Sequence, residues 1–142
     1  MSFGVETYTV EFSTSGKDEV KDLTKKVEEK IDESEVDDGI CLIFAPHATG
    51  VLVLNENEKG IREDYLNGLY DIVPEDSEWK HDRIDNNAHS HLKSAIVGTD
   101  RAIPVTNGSL DLGTWQNIFF IETDGPRTRR KLILKLIGEV SS

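Results

Sequence analysis

The chain carries a single cysteine in 142 residues. That excludes an intramolecular disulfide and suits a reducing, cytoplasmic setting. Cys41 lies in the apolar run Ile40-Cys41-Leu42-Ile43-Phe44, where a buried, unreactive thiol is expected. Positive charge is the scarcer sign, with 16 Lys and Arg against 27 Asp and Glu and a formal net charge of −11. Nonspecific nucleic-acid binding draws its affinity from Lys and Arg on phosphates, so that partner is not expected. No apolar run approaches the length of a membrane span, and no stretch resembles a signal peptide, so no membrane partner is expected either. Phosphate-cradling glycine loops, nucleophile elbows and zinc-ribbon spacings are all missing. No internal repeat or low-complexity tract is visible.

The length suits a single domain over 1–142 with a core large enough to need neither disulfide nor structural metal. Val5 to Phe12 alternates as a strand does. Val20, Leu23, Val27 and Ile31 recur at helical spacing, with a helix start expected near Ser15 and an end at 35–39. Ile40–Phe44 and Val51–Leu54 read as short buried strands. A second helix is expected on the stripe Ile61, Tyr65, Leu69 and Ile72, with Asn57 as a possible cap and Pro74 as its stop. Residues 75–87 form a long polar loop, and Leu92 to Val97 reads as strand or short helix. Asn107-Gly108 is a hairpin signal. Strands are then expected over Trp115–Glu122 and Arg130–Val140. Two helices among a run of strands argue an α+β fold with a mainly antiparallel sheet.

All four histidines lie between His47 and His91. Three of them fall in or beside Asp82–Ser94, a polar segment with two imidazoles, two amides and two carboxylates. Imidazole is the common neutral metal ligand and the usual proton carrier near neutral pH. Read as extended chain, His89 and His91 project to one face and could share a metal. His47 or His81 would complete three nitrogen ligands with an open position, as in catalytic zinc sites. Each ring alone could equally cap a strand end. Glu56, at a strand end in Asn55-Glu56-Asn57-Glu58, could act as a base, support a histidine, or sit near a helix start for dipole reasons. Arg127, Arg129, Arg130 and Lys131 concentrate cations beside a turn, fitting either anion binding or a solvated strand start. Trp115 could wall a pocket for a flat ring or fill core.

Taken together, His47-Ala48-Thr49, Asn55-Glu56-Asn57, His81-Asp82, Asn87-Ala88-His89-Ser90-His91-Leu92-Lys93-Ser94, Gly98, Leu112-Gly113-Thr114-Trp115-Gln116 and Asp124-Gly125-Pro126-Arg127 resemble the YjbQ-like family of small proteins from bacteria and archaea. The resemblance spans nearly the whole chain. It implies an α+β domain that forms homotrimers, with a site of histidines near subunit contacts. It also implies the label that members often carry, secondary thiamine-phosphate synthase. The family pattern falls on His47, Glu56, His81, His91, Trp115, Gln116 and Arg127; His89 is not a constant feature of it. Many members have Thr-Ser or Thr-Thr after the first histidine, where this chain has Ala48-Thr49.

The expected function is therefore a small enzyme acting on a phosphorylated molecule at a histidine-rich, metal-binding site. Its expected catalytic groups are Glu56, His81 and Arg127. Asn55, Trp115 and Gln116 would bind substrate, and His47, His89 and His91 would hold a divalent metal, Zn or Mg. Magnesium prefers carboxylate oxygen, so an imidazole-rich set suits zinc or another transition metal better. The residues themselves favour metal-assisted hydrolysis or general acid–base work as the native task, with thiamine-phosphate synthesis incidental. The alternative is a noncatalytic protein that captures an anion or metabolite.

Overall fold

In the computed structural model, which describes residues 2–141, eight strands form two antiparallel sheets. The strands are β1 (Ser2–Thr14), β2 (Glu19–Asp22), β3 (Val36–Phe44), β4 (Val51–Asn55), β5 (Asp100–Thr106), β6 (Ser109–Leu110), β7 (Asn117–Glu122) and β8 (Arg127–Val140). The large sheet has the order β1-β8-β3-β5-β6 and the small one β2-β7-β4. The antiparallel α+β expectation holds. The helices are α1 (Thr24–Glu33), α2 (Lys59–Ile72) and α3 (Ala88–Val97), with a 3-10 turn at Lys80–Arg83. Among the described residues no helix is long and apolar enough to cross a membrane.

The sheets face each other across one core. Val10, Phe12, Cys41, Ile43, Leu132, Leu134 and Leu136 of the large sheet meet Leu52, Ile118 and Phe120 of the small one, with Val27 and Ile31 of α1. Alternation in β8 supplies this directly, since 132, 134 and 136 point inward while 131, 133, 135 and 137 do not. The small sheet is covered on its other face too. Val20, Val51, Phe119 and Ile121 pack under Tyr65, Leu66 and Leu69 of α2 and Val97 of α3. Burial on both faces is why β7 reads as an unbroken apolar run. Complete burial of Phe119 and of Phe120 contributes roughly 1.5–3 kcal/mol each.

Three expectations need correction. A third helix, α3, takes the helical alternative for 92–97 and extends it back over His89 and His91, which were read as extended chain. Its buried side chains are Ala88, His89, Ser90, Lys93 and Ser94, a largely polar face that apolar periodicity does not register. Helix α1 begins at Thr24, because Val20 belongs to β2 and pairs with Ile121. The Asp22 carboxylate accepts from the Thr24 N–H at 3.0 Å. The cap of α2 is Glu58, which accepts from Gly60 N at 2.6 Å and Ile61 N at 2.9 Å; Asn57 instead donates to Asp22. The Asn107-Gly108 hairpin forms as expected, with both residues at positive φ, 51° and 76°.

Candidate functional site

Helix formation over 88–97 changes the histidine geometry. At about 100° per residue, His89 and His91 point to nearly opposite sides of α3 rather than to one face. His89 is buried, and its Nδ1 lies 2.7 Å from the Lys93 ammonium, one turn away. Its Nε2 lies 3.4 Å from the Glu75 carboxylate. Burial, reinforced by Lys93, holds the His89 imidazole below its usual 6.5. The ring is thus a neutral acceptor for Lys93, with both nitrogens engaged. Lys93 lies 3.3 Å over the Tyr70 ring, and burial lowers its ammonium to about 8.

His91 turns the other way and meets His81, presented by the 3-10 turn. Their ring centroids are 4.9 Å apart and the planes are nearly perpendicular. Asp85 stands 4.0 Å from His81 Nε2. Two of the four imidazoles therefore converge. Among the described residues no group of three or more His, Cys, Asp or Glu is placed to hold a metal ion. The donors His47, His89 and His91 within one chain do not fit the divalent-metal centre expected for them, because each ring belongs to a different cluster.

His47 sits just beyond β3. The β3–β8 ladder ends at Phe44↔Ile133, and the His47 ring continues it. Its Nε2 lies 3.0 Å from Lys131 N and 3.2 Å from Lys131 O. Burial first, then Arg130, lowers its pKa. Behind the ring is a buried ion pair that apolar patterning missed. Arg130 Nε donates to Glu122 Oε1 at 2.9 Å and Nη2 to Oε2 at 2.6 Å, with Nη2 also on Thr49 Oγ1 at 3.0 Å. The Thr14 hydroxyl donates to Glu122 as well. Burial alone would raise the Glu122 carboxyl; Arg130, Thr14 and the Asp124 N–H outweigh it and hold it low. The one visible signal was a carboxylate closing the apolar run of β7.

A cleft of about 620 Å³ opens here, lined by Glu11, Phe12, Ser13, His47, Thr128, Arg129, Arg130 and Lys131. Its floor is a β-bulge. Phe12 pairs with Arg130 but Thr14 with Arg127, so Ser13 faces two residues of β8. Such bulges re-aim side chains and interrupt pairing near functional sites. Arg127, expected to be catalytic, is turned onto Asp124: Nη2 to Oδ2 at 2.6 Å and Nε to the carbonyl at 2.9 Å. Asn87 donates to the same carboxylate at 2.9 Å.

The remaining candidates occupy the far end of the small sheet. Val51 pairs with Ile121 near His47, and Asn55 pairs with Asn117 at the other limit of β4. Those limits are about 13 Å apart on a strand rise of about 3.3 Å per residue. Glu56 and Gln116 flank the Asn55–Asn117 pair. Gln116 Oε1 accepts from Gly113 N at 2.8 Å, and Gln116 N donates back to Gly113 O at 3.0 Å. That locked turn displays Trp115, which is 71% exposed and lies outside β7 rather than within it. Asp22 braces the corner by accepting from both Asn57 and Asn117.

A two-sheet antiparallel α+β sandwich, with α2 and α3 over its small sheet and a cationic, imidazole-bearing cleft at one end, is the class of protein defined by these features. The family model for UPF0047 protein YjbQ-like matches residues 8–139, and the chain belongs to that family. A UPF0047 protein of Archaeoglobus fulgidus is 45% identical over 123 residues, covering 87% of this chain and 95% of that protein. UPF0047 protein YugU of Bacillus subtilis is 37% identical, covering 92% and 98%. A crystal structure from Sulfolobus solfataricus, described as a YbjQ-like protein of unknown function, superposes with a TM-score of 0.95 at 40% identity, covering 97% of this chain and all of that one. The hypothetical protein APE1520 of Aeropyrum pernix gives 0.90 at 39% identity, covering 94% and 99%. The family is one of uncharacterised function.

Proposed function

We propose that the chain binds a small phosphorylated or otherwise anionic molecule in the His47 cleft and that His47 moves protons there. The supporting observation is local charge reversal. In a chain of net charge −11, Arg129, Arg130, Lys131 and an imidazole line one cleft against the single carboxylate of Glu11. Among the described residues neither Arg129 nor Lys131 has an ion-pair partner, so both are available to phosphate oxygens. Arg130 is committed to Glu122 and sets the field behind them.

The Lys131 backbone offers His47 Nε2 an N–H and a carbonyl at nearly equal reach. Either neutral tautomer therefore finds a partner, and Nδ1 remains for the ligand as donor or acceptor. That is a workable arrangement for general acid–base catalysis. Transfer between phosphorylated precursors, as in thiamine-phosphate synthesis, is the reaction class we favour on family resemblance. Because the imidazoles of one chain are dispersed, no step is routed through a metal. Self-association as a homotrimer fits the outer face of the large sheet, where Val5, Ile40, Leu42, Phe44 and Ile137 stay exposed. A buried, unpaired Cys41 fits a cytoplasmic setting.

The test is calorimetric titration with pyrophosphate, against Arg129→Ala/Lys131→Ala and His47→Ala, followed by incubation with both thiamine precursors. The cationic double variant should bind at least tenfold more weakly. Turnover beyond one equivalent per chain supports the enzyme, and binding without turnover supports the capture protein. Unchanged binding in the double variant removes the cleft from the account.

A further inference from the structure

Lys93 is fully buried, yet among the described residues it has no ion-pair partner. Buried charges are ordinarily paired, because an ammonium taken out of water is costly. Here Nζ has one hydrogen-bond partner, His89 Nδ1 at 2.7 Å, and the face of the Tyr70 ring at 3.3 Å. An ammonium carries three donors, so among the described residues two of them meet no acceptor atom. The carboxylates that face it, Asp18 and Glu75, are engaged elsewhere. Asp18 accepts from the Tyr70 hydroxyl at 2.7 Å. Glu75 pairs with Lys17 and stands 3.4 Å from His89 Nε2. Lys17 also opposes the Lys93 charge. These surroundings suit the neutral amine better than the ammonium, and the folded pKa of about 8 agrees. A desolvated lysine amine is a nucleophile near neutral pH, as an exposed one is not.

The cover over this cluster is light. Glu75 lies in the connection that follows α2, and its side chain is 42% exposed, with Lys17 at 55%. Ion pairs so open to water add little stability. The other contact of this carboxylate is His89, directly in front of Lys93. Outward movement of Glu75 therefore uncovers the imidazole and the amine behind it while both sheets stay intact, a local opening of the kind that costs far less than unfolding. Full burial admits only a small molecule, and two carboxylates against Lys17 disfavour an anionic one.

We propose that Lys93 is a covalent capture site for small uncharged aldehydes, reached when the segment carrying Glu75 swings outward. The Nζ lone pair forms a bond to the carbonyl carbon, and the π pair of the C=O bond moves to oxygen. Both amine hydrogens then leave with that oxygen as water, and a C=N bond to Nζ replaces the C=O bond. No oxidant or reductant takes part. His89 positions Nζ through its hydrogen bond. The site is separate from the His47 cleft, and neither depends on the other.

Reductive trapping of the wild-type chain tests this: acetaldehyde with cyanoborohydride at pH 7, followed by peptide mapping over time. Lys25 and Lys26, exposed on α1, are internal controls, and the N-terminal amine is mapped separately. Lys93 should be alkylated at least tenfold faster than either control. Glu75→Gln should speed labelling of Lys93 severalfold and leave the controls unchanged, and Lys93→Met should remove the fast site alone. Glyoxylate, an anion, should favour Lys93 less than acetaldehyde does. Labelling of Lys93 no faster than Lys25, or only in urea, overturns the capture site. An unchanged rate in Glu75→Gln overturns the opening, and a preference for glyoxylate overturns the uncharged class.

Discussion

Glu122 is the heaviest polar commitment in the core, and its removal should be felt accordingly. The side chain is fully buried and accepts from Arg130 twice, from the Thr14 hydroxyl, and from the N–H groups of Thr123 and Asp124 at 3.1 Å. Glu122→Gln keeps the shape and one carbonyl acceptor but leaves the Arg130 guanidinium, itself nearly buried, without a counter-charge. Breaking a buried pair from one side costs about 3–5 kcal/mol. With an unfolding entropy of about 2.1 cal/mol/K per residue, 142 residues give about 0.3 kcal/mol/K, so the loss corresponds to roughly 10–17 °C in Tm. Glu122→Met should be worse, because two backbone N–H groups also lose their acceptor at roughly 1–3 kcal/mol each. Arg130→Met should be milder, since Thr14 and both N–H groups remain on the carboxylate. Calorimetric melts and urea titrations of the three variants give the ordering. A Glu122→Gln shift under about 3 °C, or Arg130→Met matching Glu122→Met, would refute the view of Glu122 as the hub.

Lys93 has a folded pKa of about 8 against an ordinary 10.5, so between those values the unfolded chain binds more protons and stability should rise with pH. Lys93→Met should flatten that rise in urea titrations across the same window; an unchanged slope would count against burial as the cause. His89, held below 6.5, acts in the same sense at acid pH: stability should fall as pH drops through that value, and His89→Gln should lessen the fall. Gly39 and Gly138 face each other in β3 and β8, where a Cβ on either would strike the opposite backbone. Gly138→Ala should therefore destabilise by more than 2 kcal/mol, about the range for strained core changes, and a neutral melt would show that the ladder yields. Chelator treatment should leave pyrophosphate affinity unchanged, since the converging imidazoles His81 and His91 lie outside the cleft lining; a chelator-dependent loss would join the two clusters.

How far the chain declares its structure depends on whether burial follows apolarity. The strand series was legible because β3, β4, β7 and β8 carry alternating or continuous apolar residues. Helix α2 was legible from Ile61, Tyr65 and Leu69. Helix α3 was legible only as one of two readings of 92–97, because its buried stripe is His89, Ser90, Lys93 and Ser94. His89, Ser90 and Lys93 are met by Glu75, Thr123, Tyr70 and one another, and hydropathy scores them as exposed. The same blindness hid Glu122 and Arg130, whose burial depends on their mutual geometry. The histidine cluster is divided by the backbone. His81 and His91 meet, while a helical rather than extended backbone turns His89 inward and sequence proximity brings nothing to His47.

What separates the imidazoles also assigns them different work. His89 is sealed between Lys93 and Glu75 and can do little but hold α3 to the loop after α2, where Glu75 also pairs with Lys17. His81 and His91 share a half-open surface with Asp85, a two-nitrogen set too small for a closed structural metal site. Only His47 combines a free ring nitrogen, a backbone partner for either tautomer and neighbouring cations. On the proposed reading, acid–base chemistry on an anion falls to His47, even though it stands apart from the histidine-rich segment. The segment contributes by clamping Asp124 through Asn87 and Thr123 through Ser90. Both residues immediately follow Glu122, so the histidine-bearing helix fixes the strand end on which the cleft is built.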